Sequence, residues 1–169
     1  MPSTHLVRHS AHPADELLAM VADVESYPKF ITLISALRIT KKTSDTEFEA
    51  EAVVAYKMLR ETFKSKIKID RKARTIRVFK AEKGGAVKTL ENLWVFHPLD
   101  DGSALIEFSV DVSLKAFPLN ILITQKMDKA TEVILGAFER RAKQVCKTVE
   151  SDGVDLDTQC KALGIKLTA

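Results

Sequence analysis

The amino-acid sequence predicts an α+β domain. A curved antiparallel sheet of about six to seven strands wraps around one long C-terminal helix, with a short helical segment after the first strand. Two observations carry this. Apolar residues alternate with polar ones from about Leu33 to Leu114, and a 3.6-residue stripe follows Pro118 over about thirty residues. A sheet of this size must cover one face, and the long helix is the only element able to do so.

The elements follow in order. Residues 5–10 (HLVRHS) read as a short strand. Pro13 suits a helix start, with Asp15 and Glu16 favourable in the first turn and Leu17, Leu18, Met20, Val21 and Val24 forming the apolar face. Tyr27-Pro28 is expected to break that helix. Phe48, Ala50, Ala52 and Val54 then alternate with Glu47, Glu49 and Glu51; Phe63, Ser65, Ile67 and Ile69 alternate with Lys64, Lys66 and Lys68. Antiparallel pairing of these two strands would set a Glu row beside a Lys row on the wet face. Strands at 75–81 and 90–96 follow, then a turn at Pro98-Leu99-Asp100-Asp101-Gly102. The strand Ala104–Leu114 puts Ala104, Ile106, Phe108, Val110, Val112 and Leu114 on one face. The final stripe is Leu119, Ile123, Met127, Ala130, Ile134, Ala137/Phe138, Ala142, Val145 and Val149, ended by Ser151-Asp152-Gly153. Residues 1–150 are expected to form the domain, and 151–169 a tail with a short helix around 157–163.

With 169 residues, 46% of them hydrophobic, and a net charge of +3, the chain has the composition of one globular domain rather than a disordered segment. No apolar run reaches the ~20 residues that span a bilayer, and the first residues lack a signal-peptide pattern, so a cytoplasmic location is expected. Two cysteines, Cys146 and Cys160, are too few for a disulfide framework or a structural zinc site. His5 and His9 share a strand face but stand roughly 13 Å apart, too far to bind one metal ion. No phosphate-binding glycine frame, nucleophile elbow or calcium loop occurs. The sequence offers no catalytic centre and calls for no cofactor.

Two surface features remain. Residues 64–74 carry Lys64, Lys66, Lys68, Arg71, Lys72 and Arg74, which read first as a solvated strand face and second as an attraction to anionic membrane or RNA. Residues 116–123 are apolar nearly all round. Phe117, Leu119, Ile121 and Leu122 are therefore either packing residues or a greasy lip that contacts the membrane.

Three stretches carry a family resemblance. Val24-Glu25-Ser26-Tyr27-Pro28-Lys29-Phe30 matches a V-x-x-Y-P-x-F pattern, Leu90-Glu91-Asn92-Leu93-Trp94-Val95-Phe96 matches L-x-N-x-W-x-F, and residues 106–114 lead into the long helix. Over about residues 3–150 the chain resembles the START-like helix-grip (START/Bet v 1-like) superfamily, and within it the coenzyme Q-binding protein family, which is grouped with polyketide cyclase/dehydrase-like lipid transport proteins. Where that family often has Gly-Pro-Phe before the Trp strand, this chain has Gly84-Gly85-Ala86-Val87.

The resemblance implies non-enzymatic binding of an isoprenoid quinone, ubiquinone, in the grip cavity, in support of respiratory electron transfer and quinone biosynthesis. It also implies contact with the inner membrane from the cytoplasmic side, and no DNA partner. Tyr27, Pro28, Phe30, Trp94 and Phe96 carry over as motif positions. Phe48, Val54, Phe63, Ile67, Phe108, Val110, Ile123, Met127 and Ile134 are wall candidates from alternation and the helical stripe, and each could equally be plain core. Tyr56, Asn92 or Ser65 could meet the quinone carbonyls. Two alternatives stand beside this expectation: a polyketide cyclase/aromatase-like enzyme, and a ribosome-binding translation inhibitor such as the ribosome association toxin family.

Overall fold

The computed structural model describes residues 3–56, 59–81, 87–115, 117–150 and 155–168, and their side chains except at 56, 59 and 117–124. Strand β1 (Ser3–Ser10) leads into helix α1 (Ala14–Ala22). Pro13 caps α1, and its carbonyl accepts from the Leu17 N–H at 3.0 Å. The helix ends at Ala22, earlier than the Tyr27-Pro28 break. Residues Val24–Lys29 wind as a 3-10 turn with Pro28 inside it, and the Tyr27 hydroxyl donates to the Val21 carbonyl. That bond serves one of the helix's last carbonyls, which have no partner within the helix. Burial, and secondarily the Asp23 charge, push the Tyr27 phenol far above its ordinary range, so it remains a donor.

Six strands follow: β2 (Ile34–Lys42), β3 (Glu47–Tyr56), β4 (Leu59–Asp70), β5 (Thr75–Lys80), β6 (Val87–Pro98) and β7 (Ala104–Leu114). They complete a curved seven-stranded sheet in the order β1-β7-β6-β5-β4-β3-β2. The Glu and Lys rows meet as their alternation predicts: Glu47 opposes Lys68, Glu49 opposes Lys66 and Glu51 opposes Lys64. Strand β6 begins at Val87, before the expected Leu90, because the ladder to β7 continues through Val87 opposite Leu114.

Helix α2 (Phe117–Val145) lies across the concave face. Its buried line is Thr131, Leu135, Phe138 and Ala142, with Ala137 beside it. Val133, Ile134 and Leu135 are consecutive apolar residues, so periodicity alone does not centre the stripe; packing buries Leu135 and leaves Val133 50% exposed. The helix stops at Val145, short of the predicted Ser151-Asp152-Gly153 end, and Val145 is itself 49% exposed. Bonds from another element explain the early stop. The Lys147 carbonyl accepts from His12 Nδ1 at 2.9 Å, the Lys147 N–H donates to Glu16 at 2.9 Å, and the Val149 N–H donates to the Ala11 carbonyl at 2.7 Å.

The tail carries helix α3 (Leu156–Leu163), where the sequence places a short helix. Asp155 caps its first turn by accepting from the Thr158 N–H, and Gly164 closes it in the left-handed conformation at φ 71°. Cys160 packs with Leu99 and Leu105 in a second apolar cluster on the convex side. Beyond α3, Thr168 bonds both the N–H and the carbonyl of Val7 and so covers the outer edge of β1.

Candidate functional site

Strand alternation sends one set of side chains into the concave face, and the two ends of that face differ. At the closed end, register places Ile69 opposite Ile76, Ile76 opposite Trp94 and Trp94 opposite Phe108, and all four are buried. Phe138 of α2 meets Trp94 there edge-on at 5.0 Å between ring centroids. Trp94 also stacks on Phe96 at 5.9 Å and meets Phe108 at 4.7 Å. Tyr27 and Phe30 complete this cluster through Phe138, at 5.2 and 5.3 Å. The V-x-x-Y-P-x-F stretch thus clamps the end of α1 to α2, while the L-x-N-x-W-x-F strand supplies the floor.

A small cavity persists between α1, α2 and this floor. Its volume is about 20 Å³, and Leu6, Leu17, Val21, Trp94, Phe108 and Leu135 are among its walls. That is room for about one water molecule. The wall also contains Arg8 and Glu139. Arg8 alternates in phase with Leu6 on β1 and so faces inward. That in-phase alternation was the available signal, and the sequence reading missed it. The cavity wall is therefore apolar except at these two ionisable side chains.

Toward the other end, the same inward face is less covered. Ala52 pairs with Phe63, Val78 with Asn92 and Asn92 with Val110; these residues and Val54 and Ser65 are only half-buried with α2 in place. They form a largely apolar trough that continues from the Trp94 floor, about 7 Å further along each strand, and register places Glu61 opposite Val54 and Lys80 opposite Ser65 on the same face. Asn92 donates its side-chain N–H to the Ser109 carbonyl at 2.8 Å, so part of its polar capacity is already used.

The remaining site residues divide between these regions. Phe48 and Ile67 are buried core, whereas Met127 and Ile134 on α2 are half-buried. The side chains of Tyr56, Phe117, Leu119, Ile121, Leu122 and Ile123 lie outside the described residues, as do Gly84 and Gly85.

Lys64, Lys66, Lys68 and Arg74 of the basic stretch each lie beside a carboxylate. Lys66 pairs with Glu47 at 3.1 Å, Lys68 and Lys64 lie 4.0 Å from Glu47 and Glu51, and Arg74 Nε donates to Asp15 at 2.8 Å. Arg74 adopts φ 56°, a left-handed conformation uncommon for a side-chain-bearing residue, and its carbonyl accepts from Phe96 N–H at 2.9 Å. Its neighbours Arg71 and Lys72 border an outer groove of about 710 Å³ between α1 and this turn, with Leu18, Phe48 and Ile69 on its floor. On the convex face, His5 and His97 converge on Glu107 from the two adjacent strands, at 3.2 and 2.5 Å. Burial pushes the Glu107 carboxyl up, but the hydrogen bonds from His97 and His5 outweigh it and hold the group below its ordinary value.

No helix among the described residues is long and apolar enough to cross a membrane. Comparison with known proteins places the fold. The ribosome association toxin RatA of Rickettsia prowazekii is 30% identical over 133 residues, covering 78% of this chain and 90% of that protein. The aromatase/cyclase Zhui of Streptomyces sp. R1128 superposes with a TM-score of 0.74 at 16% identity, over 84% of this chain and 93% of that one. A START superfamily protein from Mycobacterium smegmatis superposes at 0.72 with 19% identity, over 84% and 97% of the two chains. At these identities the two solved structures establish the START-like helix-grip fold. The sequence profile of polyketide cyclases/dehydrases and lipid transport proteins matches residues 10–139, and with the grip geometry above it, the chain belongs to the polyketide cyclase/dehydrase and lipid transport family.

Proposed function

We propose that this protein binds a hydrophobic isoprenoid quinone, ubiquinone, in the helix grip and carries or shields it without chemical conversion. The observation that carries the reading is the half-buried apolar trough of Ala52, Val54, Phe63, Val78 and Val110, continuous with the Trp94 floor. Apolar surface left open to water favours an apolar occupant by about 25 cal/mol per Å² covered. The family's lipid-transport membership supports a hydrophobic ligand, and the two motif stretches support a quinone in particular. Arg8 and Glu139 are the ionisable groups among the described cavity walls, and a cyclase/aromatase-like enzyme working by general acid–base chemistry is the alternative that they favour.

The test is extraction of protein purified from a ubiquinone-producing host, followed by mass spectrometry. Near-stoichiometric ubiquinone is expected; protein that never carries quinone or other lipid would refute the reading.

Ribosome association is a second reading, favoured by the similarity to RatA. The ion pairing of Lys64, Lys66, Lys68 and Arg74 leaves fewer cations for phosphate contacts. Sedimentation with ribosomes across a salt series separates the two, because phosphate contacts weaken steeply as salt rises.

A further inference from the structure

We infer that Arg8 is the head-group anchor of the grip, and that it selects a ligand whose head carries a neutral carbonyl oxygen rather than a carboxylate or phosphate. The inference rests on the ligand-binding reading above and adds the residue and the head chemistry to it.

Three observations lead there. First, Arg8 lies in the wall of an otherwise apolar cavity beside Trp94 and Phe108. Second, its Nε is out of reach of solvent and has no hydrogen-bond partner among the described residues. A buried donor on a charged group is costly to leave unmet, so an acceptor arriving there gains more than it would at the surface. Third, the guanidinium is already held in place, since its NH2 group donates to Glu132 of α2. The guanidinium is therefore oriented by one acidic partner while its Nε–H stays unmet.

Charge decides which acceptor. Glu132 bonds the guanidinium, and Glu139 lines the same cavity. An anionic head would enter a region with no positive charge in excess and would meet repulsion from both. A carbonyl accepts the same hydrogen bond without that repulsion. A quinone head is larger than the cavity of about 20 Å³, so its entry requires Leu135 and Phe138 of α2 to give way; the head then rests against Trp94 and the tail runs past Asn92 and Val110. Quinones and polyketide-like ketones share this head chemistry, and the length of the apolar tail separates them.

The experiment compares binding by isothermal titration calorimetry of decylubiquinone, decylbenzene and sodium decanoate to the full chain, wild type and Arg8→Met. Methionine keeps much of the side-chain bulk and removes the donor. Wild type is expected to prefer decylubiquinone to both other probes, and Arg8→Met to bind decylubiquinone about tenfold more weakly with decylbenzene within twofold of wild type. Menadione, which has the carbonyls but no tail, tests the tail contribution and should bind more weakly than decylubiquinone. Glu132→Gln provides an independent arm at a half-exposed position. It removes one of the two carboxylates, so decanoate should gain at least threefold more affinity than decylubiquinone. Equal losses for decylubiquinone and decylbenzene in Arg8→Met would overturn the assignment of Arg8, as would decanoate binding tightest to wild type. Menadione binding as tightly as decylubiquinone would overturn the tail placement. Failure of wild type to bind any probe would overturn the ligand-binding reading as well.

Discussion

Replacing Phe138 with alanine tests whether the closed end of the grip is a single packed unit. Phe138 is 5% exposed and stands between three elements. Its ring meets Tyr27 and Phe30 of the 3-10 turn and Trp94 of β6 at centroid distances of 5.2, 5.3 and 5.0 Å, all edge-to-face. Phe→Ala in a core costs about 3–5 kcal/mol. Three aromatic pairs, each worth about 0.5–1.5 kcal/mol beyond area burial, place Phe138→Ala in the upper half of that range. A protein of this length shifts in Tm by roughly 2–4 °C per kcal/mol, so a fall of about 8–20 °C is expected. The assay is urea unfolding followed by the emission of Trp94, the chain's one tryptophan. Native-state emission should also shift to the red, because the vacated volume adjoins the existing cavity and admits water to the indole. A loss below about 1 kcal/mol, typical of a position outside the core, with unchanged Trp94 emission would refute the claim that Phe138 joins the turn to the sheet.

Further expectations concern the convex face and the thiols. Glu107 has a lowered folded-state pKa, so it contributes stability that is present above the unfolded carboxylate value of about 4.3 and is lost as pH falls through the folded value. Urea midpoints of wild type and Glu107→Gln should therefore differ at pH 6 and converge in acid once the pH lies below the folded carboxylate value; a difference that persists there would contradict the role of its histidine bonds. Leu105→Ala should cost about 2–5 kcal/mol, because Leu105 is 0% exposed beneath α3; a near-neutral result would mean the tail does not cover the sheet. Burial, and then the Glu16 charge, push the Cys146 thiol up to about 11. Iodoacetamide should modify it at pH 7.5 more than tenfold slower than a free cysteine, whose pKa is about 8.5. Glu47→Gln removes the surface ion pairs to Lys66 and Lys68 and should change stability by less than about 1 kcal/mol, with the effect shrinking in 1 M NaCl.

The legible part of the site came from alternation. Glu47 to Glu51 and Lys64 to Lys68 announced not only two strands but their register, because opposite charges on a shared face favour one alignment. Trp94, Phe96 and Phe108 were recognisable as inward-facing for the same reason. Arg8 was legible in principle through its phase with Leu6, but a charged residue at an inward position conflicts with the usual hydrophobic pattern and is easily read as solvent-facing. The choice of Leu135 over Val133 was not legible, since three adjacent apolar residues fit several helix rotations equally.

By itself the sequence determined the order of the elements, the face each strand turns inward and the presence of one covering helix. These are properties of local period, recorded along the chain whatever it packs against. The tertiary structure alone decided that Arg8 meets Glu132, that His5 and His97 share Glu107, and that α2 ends where His12 and Glu16 take the Lys147 backbone groups. It also decided which half of the concave face closes around Phe138 and which stays open as a trough. Those outcomes depend on strand register and on how far a helix stands from a curved sheet. Both are set by side chains distant in sequence packing together, and no local period encodes them.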